Sequence, residues 1–415
     1  MKLALIGAGS RGMIYAQYAH HKKGVEIVAV VEPREDRRLS AAQDLEVEAN
    51  RLYSNTDDFF AAAIDCDAVI IASMDRDHYE AAMKAINLGY NLLLEKPMSP
   101  DQKECIDIIE TAKAHQVEVT VCHVLRYTNF FNDIKKVLDS GELGKIIAIQ
   151  HNENVGNFHM AHSFVRGNWG NADKSSPIIL QKSCHDMDIL KWMVGSPAKR
   201  ISSFGDLTYF KAENAPANSS TYCYNCPARE DCHYDAYKAY LPIRGEWPAT
   251  MVSLDQTAEG LSQALKTSPY GRCVYKCDNN VCDHQVTIIE FENGVTASFV
   301  LSGFTNSISR SLKIMCEKGE IRASDLDGTI EITHFTSNAA DQVTKRLISS
   351  AKVSGGHGGG DALLMEDFLA RLTTAGQEAR SSAAESLESH LMAFAAEESR
   401  TTGQTIDMAK YRQHI

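Results

Sequence analysis

Short apolar runs alternate with amphipathic stretches over residues 1–125 of the chain. Five runs are typical of buried strands in a parallel sheet, and they lie at residues 3–6, 26–31, 68–72, 91–94 and 117–122. Residues 75–88 and 101–114 show helical periodicity, and the second stretch has Ser99 as its predicted N-cap and Pro100 at its first helical position. Strands that alternate with helices predict a doubly wound parallel sheet.

The pattern changes after about residue 127, where strands follow one another along the chain. Predicted strands lie at residues 145–153, 285–292, 295–301, 312–316, 320–323 and 329–335, and predicted helices at residues 184–194, 362–373 and 383–400. Asn293-Gly294 indicates a hairpin turn. We therefore predict an α/β protein with a Rossmann domain at residues 1–125. A second domain at 126–415 would hold a large, mainly antiparallel open sheet and an irregular insertion at about 205–282.

Length and charge restrict the classes of function. A chain of 415 residues exceeds what one hydrophobic core usually supports, which agrees with two domains. The net charge of −12 argues against nucleic acid as a partner. Apolar runs fall short of a membrane span, so we expect a cytoplasmic protein without membrane contact. Its eleven cysteines then favour a metal site over disulfides.

A glycine-rich turn follows the first predicted strand. Residues 7–12 fit G-x-G-x-x-G and open a helical pattern, the context that dinucleotide binding requires. Glu32 ends the second strand twenty residues after Gly12, where a carboxylate binds ribose hydroxyls and disfavours a 2′-phosphate. The sequence therefore predicts NAD as cofactor, with Arg34 and Arg37 as competing determinants. The predicted contacts here are Gly7, Gly9, Ser10, Arg11, Gly12 and Glu32.

A second group of polar residues follows the strand at 91–94. Ligands of open α/β sheets bind beyond the carboxyl ends of the strands, which places Glu95-Lys96-Pro97 near the reactive ring of the cofactor. Together with residues 7–12, this motif resembles the Gfo/Idh/MocA family, named for glucose–fructose oxidoreductase and inositol dehydrogenase. Further motifs carry the resemblance: Ile71-Ala72-Ser73 followed by His78, Arg126-Tyr127, and Cys184-His185-Asp186-Met187-Asp188.

The resemblance implies site residues and an assembly. Lys96 and His185 would be catalytic, and histidine suits proton transfer because its pKa lies near neutrality. The family often has an aspartate where this chain has Gln181, which cannot titrate, and the adjacent Lys182 is a candidate contributor. Implied cofactor contacts are Ser73, His78, Glu95 and Lys96. Implied substrate contacts are Arg126, Tyr127 and the Gln181 position, and the open sheet would pair copies into a homo-oligomer. Lys182 beside Gln181, and Asp188 on the same helical face as His185, are further candidate contacts. His357 in the glycine-rich loop is another, because a polar residue among glycines can approach a ligand, with a flexible connector as the alternative.

The insertion contains closely spaced cysteines. Cys223, Cys226 and Cys232 have a spacing that suits a tetrahedral ion such as zinc, with Cys273 or Cys277 as fourth ligand. Such a zinc would be structural, because protein ligands would fill its coordination shell. The alternative is a set of reduced, buried cysteines without metal.

Three functions are compatible with these motifs. The leading hypothesis is an NAD-dependent oxidoreductase that transfers hydride between nicotinamide and a secondary alcohol of a sugar, sugar derivative or cyclitol. The first alternative is a glycoside hydrolase that oxidises its sugar transiently and returns the hydride. The second is a non-catalytic NAD-binding sensor, which the presence of both Lys96 and His185 disfavours.

Overall fold

Six short parallel strands form the N-terminal sheet of the computed structural model, which describes residues 1–338, 344–350, 356–374 and 379–413. The strands are β1 (Lys2–Ile6), β2 (Glu26–Val31), β3 (Leu52–Tyr53), β4 (Ala68–Ile71), β5 (Asn91–Leu94) and β6 (Val119–Val121). They are arranged in the order β3-β2-β1-β4-β5-β6, and all pairs are parallel. The order reverses beside β1, so a crevice opens at its carboxyl end.

Helices cover both faces of this sheet. They are α1 (Ser10–His20), α2 (Glu35–Asp44), α3 (Thr56–Ala61), α4 (His78–Asn87) and α5 (Gln102–His115). The interior of the central strands is almost completely buried, which explains why they are continuous apolar runs in the sequence.

A nine-stranded sheet forms the second half of the fold. Its strands are β7 (Ile146–Asn154), β8 (Ala198–Asp206), β9 (His284–Phe291), β10 (Thr296–Ser302), β11 (Ser309–Cys316), β12 (Gly319–Ser324), β13 (Thr329–His334), β14 (Thr344–Ser349) and β15 (Ile406–Asp407). Their order is β14-β13-β12-β11-β7-β10-β9-β8-β15. Only β7 and β10 pair in parallel. The predicted fold class and the hairpin at Asn293-Gly294 are confirmed.

Further helices pack on this sheet or connect its strands. They are α6 (Asn129–Asp139), α7 (Asn157–His159), a π-helix (Met160–Arg166), α8 (Ile178–Gln181), α9 (Cys184–Val194), α10 (Ala236–Tyr240), α11 (Ala249–Val252), α12 (Ala258–Thr267), α13 (Gly360–Thr373), α14 (Ala383–Thr402) and α15 (Met408–Gln413). Apolar side chains of α9 and α14 share one buried cluster with the inner face of the sheet. Among the described residues, no helix is both long and apolar enough to cross a membrane.

The C-terminal part of the chain returns to the first sheet. Leu364, Met365 and Phe368 of α13 are buried in the same cluster as Leu3 and Leu5 of β1. The predicted boundary near residue 125 lies between the last strand of the first sheet and the first strand of the second. A segment from the far end of the sequence therefore completes the core of the N-terminal half.

Four strands were absent from the sequence prediction. β3 and β15 contain two residues each, too few for a detectable period. β8 is a nine-residue strand whose buried positions include Ser203, so its inner face lacks a continuous apolar signal. β14 lies at the edge of the sheet, where Leu347 is exposed and contributes no buried position to a pattern.

The start of α5 differs from the prediction as well. Asp101, not Ser99, is the N-cap, and its carboxylate accepts hydrogen bonds from the backbone N–H groups of Lys103 and Glu104 at 2.8 and 3.2 Å. The Ser99 side chain is buried and contacts the carboxylate of Glu104. The predicted helix start at Pro100 was wrong, because the Asp101 cap begins the helix two residues later, at Gln102.

Replacement of Asp101 by Ala should lower the free energy of unfolding by about 1 kcal/mol, the usual cost of a lost N-cap. Asp101→Asn is the matched control, since its amide oxygen accepts the same hydrogen bonds. Urea unfolding followed by circular dichroism measures both. Equal destabilisation by the two substitutions would contradict the capping role.

Candidate functional site

The glycine turn after β1 has the form that a dinucleotide pyrophosphate requires. Gly7 has a φ of +91°, and a Cβ there would lie 2.5 Å from the carbonyl oxygen of Ala72. A Cβ on Gly12 would lie 2.0 Å from the carbonyl oxygen of Gly7, so both positions require glycine. At Gly9 a Cβ would meet no atom within 4 Å among the described residues. The turn therefore has an open side at Gly9, where α1 begins at Ser10 with its N–H groups toward the crevice.

Glu32 is buried beside this turn. Its carboxylate accepts hydrogen bonds from the backbone N–H groups of Ala8 and Arg34, both at 3.0 Å. The guanidinium of Arg34 turns instead to Asp36, with an Nη2–Oδ2 distance of 2.6 Å. A negative group is thus fixed next to the glycine turn, and the charge of Arg34 is engaged by another carboxylate. This arrangement fits ribose hydroxyls better than a 2′-phosphate.

Arg11 and Glu95 form an internal ion pair. The guanidinium of Arg11 lies 2.9 Å from Glu95 Oε1 and 2.5 Å from Asp361 Oδ1. Burial would raise the pKa of Glu95, but Arg11 and Lys96 lower it below its ordinary value. The charged ends of Arg11 and Glu95 thus contact each other and α13. Their predicted cofactor contacts have no support from these side-chain positions.

Ser73 and His78 border the crevice beside the Lys96-Pro97 peptide. The ring nitrogens of His78 lie 2.8 Å from the Pro97 carbonyl oxygen and 3.2 Å from the Ser73 carbonyl oxygen. The buried hydroxyl of Ser73 has no hydrogen-bond partner within the described ranges. An orphaned hydroxyl at this position fits a polar ligand group, whereas His78 holds the loop that carries Lys96.

Lys96 reaches across to the second half of the fold. Its Nζ donates a hydrogen bond to the backbone carbonyl of Gln181 at 2.6 Å, at the end of α8. His185 lies in the first turn of α9, a few residues further along the chain, and is 4% exposed. The tertiary structure thus joins the loop after β5 to the segment that carries His185.

Two further histidines lie near His185: His123 packs against His185, and His390 packs against His123. The ring of His123 lies 5.7 Å from that of His185 and 5.6 Å from that of His390. Burial lowers the pKa of His123 to about 4 and that of His390 to about 3, so both are neutral at pH 7. Neither was among the predicted site residues. His123 was detectable, because it follows β6 at the same sheet edge as Lys96.

Arg126 and Asp188 form a buried bidentate pair. Arg126 Nε lies 2.6 Å from Asp188 Oδ2, and Nη2 lies 2.7 Å from Oδ1. Burial would raise the pKa of Asp188, but His123 and Arg126 lower it below its ordinary value. Tyr127 is buried in the cluster around β1, and its hydroxyl donates to Asp367 at 3.0 Å. These contacts are internal to the protein, so the predicted substrate contacts of the three residues have no support here.

Lys182 belongs to a second group of buried charges. Its Nζ lies 3.3 Å from Oε1 of Glu153 on β7, and Arg310 Nη2 lies 2.6 Å from Oε2 of the same carboxylate. Sequence reasoning missed Glu153. It could have been found from the alternation of β7, because Glu153 lies on the same, buried side of the strand as Ile149. The side chain of His357, another predicted contact, lies outside the described residues.

The cysteines of the insertion converge without forming a metal site. Cys223, Cys226, Cys232 and Cys273 line one small cavity of about 20 Å³. Cys277 does not line it, and its thiol contacts the Cys273 carbonyl at 3.3 Å. Within the part of the chain that the structure describes, no group of three or more ligating side chains is placed to hold a metal ion. The zinc prediction is therefore not supported, and the cysteines are free thiols.

Family models match most of the chain. Residues 1–123 match the model of an oxidoreductase family with an NAD-binding Rossmann fold, and residues 135–408 match its C-terminal α/β domain. The putative oxidoreductase YteT of Bacillus subtilis is 25% identical over 314 residues, which cover 73% of this chain and 72% of that protein. Inositol 2-dehydrogenase of Corynebacterium glutamicum strain ATCC 13032 is 26% identical over 198 residues, which span 47% of this chain and only 55% of the relative.

Solved structures share the whole fold at low sequence identity. An oxidoreductase from Agrobacterium radiobacter, in complex with NAD+, L-tartaric acid and magnesium, has a TM-score of 0.72 at 17% identity and covers 99% of both chains. Scyllo-inositol dehydrogenase from Lactobacillus casei, with bound NAD(H) and scyllo-inositol, has a TM-score of 0.68 at 18% identity and 99% coverage of both. The glycine turn, the crevice and both family models together establish that this chain belongs to the Gfo/Idh/MocA family of NAD-binding oxidoreductases.

Proposed function

We propose that the protein is an NAD(H)-dependent dehydrogenase or reductase of a secondary alcohol in a sugar, sugar derivative or cyclitol. The observation that carries the proposal is the contact between Lys96 and the Gln181 carbonyl, which joins the cofactor crevice to the segment containing His185. When bound, NAD accepts the hydride from the alcohol carbon. The chain must then supply a group that takes the hydroxyl proton, and Lys96 and His185 are the residues proposed for it.

The surroundings of the site support a polyhydroxylated substrate. Trp247 of the insertion is about half exposed, and its ring lies 5.1 Å from that of His159. Burial, and then the charges of Lys182, His162 and Lys96, lower the pKa of His159 well below its ordinary value. An exposed aromatic face near polar and charged groups is a usual feature of small-ligand pockets. The inositol and sugar-nucleotide dehydrogenases among the structural neighbours agree with this substrate class.

The exposed face of the nine-stranded sheet supports a homo-oligomer. Ile147, Phe204, Ile288 and Leu347 project from β7, β8, β9 and β14 and are at least 46% exposed. Large apolar side chains exposed on several strands of one sheet indicate an interaction surface. We propose that a second copy of the chain covers this face. Sedimentation velocity measures the association, and a monomer at micromolar concentration would contradict it.

Cofactor preference follows from Glu32. We expect NAD(H) to bind at least about tenfold more tightly than NADP(H), a difference of about 1.4 kcal/mol, because the fixed carboxylate repels a 2′-phosphate. Isothermal titration calorimetry with both cofactors measures this. Glu32→Gln should narrow the difference in affinity between NAD(H) and NADP(H). Arg34→Ala is the control. Equal affinity of the unaltered protein for the two cofactors would mean that an arginine governs the ribose pocket.

The function is tested by a screen of cyclitols, monosaccharides and glycosides with NAD. NADH absorbance and the organic product are followed together. We expect NADH and a ketone product in equal amounts from at least one cyclitol or sugar. Release of an aglycone without net NADH would favour transient oxidation in a glycoside hydrolase. Tight NAD binding with no product from any compound would favour the sensor.

The roles of Lys96 and His185 are tested on the substrate that the screen identifies. Lys96→Met and His185→Ala should each lower kcat by about a hundredfold or more, as loss of a positioned acid or base does. NAD affinity should change by less than about twofold, because these side chains are not expected to carry its binding energy. Lys103→Met on the exposed face of α5 is the matched control for Lys96→Met. Full activity of either site variant would refute its role.

A further inference from the structure

A buried carboxylate lies next to Lys182, on an element that sequence reasoning did not connect with the site. Glu153 of β7 is completely buried, and Lys182 and Arg310 approach its two carboxylate oxygens. Arg310 also lies 2.7 Å from Oδ1 of Asp186, which is itself 2.7 Å from Nε2 of His151. Arg310 is thus shared between two carboxylates, so it does not fully neutralise Glu153. Lys182 supplies the remaining positive charge.

Lys182 is also the member of this group that directly follows the residue contacted by Lys96. The peptide bond between residues 181 and 182 carries the carbonyl to which Lys96 Nζ donates its hydrogen bond. The Lys182 side chain is 14% exposed, whereas that of Glu153 is 0% exposed. Water therefore reaches part of the Lys182 side chain, whereas the partner carboxylate is enclosed.

Burial affects the two partners in opposite directions. Burial lowers the pKa of Lys182. The negative charges of Glu153 and Asp186 partly restore it, whereas the positive charges of Arg310 and Lys96 lower it further. Burial raises the pKa of Glu153, against the opposing effect of Arg310 and Lys182. The groups that face Lys182 are thus Glu153, Arg310, Asp186 and Lys96, with His159 also close. The lowered pKa of Lys182 favours loss of its proton, whereas Gln181 beside it has no group that titrates.

We propose that Lys182 is a second proton-carrying lysine of this site and that Glu153 is the positioning residue that holds its ammonium form. The inference rests on the proposed function. In oxidation, the C–H hydride leaves to the nicotinamide, and the O–H proton passes through the Lys96 and His185 region to the neutral Lys182 amine. The Glu153 carboxylate stabilises the ammonium so formed. After product release, the ammonium returns its proton to water that reaches the partly exposed side chain, and the amine is neutral again.

The first test measures the titration of Lys182 itself and does not depend on turnover. Protein labelled with 13C at lysine Cε is titrated by NMR in its NAD complex, and Lys182→Arg identifies the resonance. We expect Lys182 to titrate below an ordinary lysine. In Glu153→Gln it should titrate lower still, because loss of a neighbouring negative charge disfavours the ammonium. An ordinary titration in the unaltered protein, or one that Glu153→Gln leaves unchanged, would overturn the proposal.

Asp325→Asn is the matched control for Glu153→Gln. The Asp325 carboxylate accepts a hydrogen bond from the backbone N–H of Arg310 at 2.6 Å. The Asp325→Asn substitution therefore disturbs the surroundings of Arg310 without removing Glu153, the partner of Lys182. We expect the Lys182 titration to be unchanged in this variant. A shift as large as that in Glu153→Gln would mean that Arg310, not Glu153, governs the lysine.

The second test separates proton transfer from charge alone. Lys182→Arg retains a positive charge that cannot be lost at neutral pH, so kcat should fall about a hundredfold while KM changes little. In the unaltered protein kcat for oxidation should rise with pH as Lys182 loses its proton, and in Glu153→Gln this rise should move to lower pH. Full activity of Lys182→Arg would refute proton transfer. If no compound in the screen is turned over, the proposed function fails, whereas the NMR titration still decides the pairing of Glu153 with Lys182.

Discussion

Neutralisation of buried charge is the constraint on which this site depends. Three sets of ionised side chains pair inside the protein: Arg11 with Glu95 and Asp361, Arg126 with Asp188, and Arg310 with Glu153 and Asp186. Removal of one partner from such a pair typically costs about 3–5 kcal/mol, because the other charge is left without compensation. Each pair also links segments that are distant in sequence. The same contacts that satisfy the charges therefore fix the elements that carry Lys96, Lys182 and His185.

The buried side chains differ in whether they are ionised at pH 7. Arg126 lowers the pKa of Asp188, and Arg11 lowers that of Glu95, so these carboxylates remain ionised. Burial lowers the pKa of His123 and of His390, so these two histidines are neutral at pH 7. We propose that proton transfer in this reaction uses Lys96 and His185, together with Lys182 at the edge of the third set.

The inserted segment between β8 and β9 packs as an aromatic layer beside the site. It has its own small core, which includes Tyr237, Tyr240 and Leu265. Tyr270 stacks on His162 of the π-helix with the rings 4.6 Å apart. Aromatic packing of this kind holds the insertion against the strand-connecting segment beside the site. It brings Trp247 next to His159, which no spacing of cysteines would have indicated.

Local patterns in the sequence determined eleven of the fifteen described strands, the glycine turn, Glu32 beside it, and the place of Lys96 after β5. These features depend on periodicity and on turns within a few residues, and a strand followed by a glycine turn has few alternative conformations. Partners of charged side chains were decided by the tertiary structure. Arg126 and Asp188 were predicted to meet substrate and instead meet each other, and Glu153 lies opposite Lys182 because β7 is central in the second sheet. The physical reason is that ion pairing acts across elements whose register and packing are set by the whole core, which no single stretch of sequence contains.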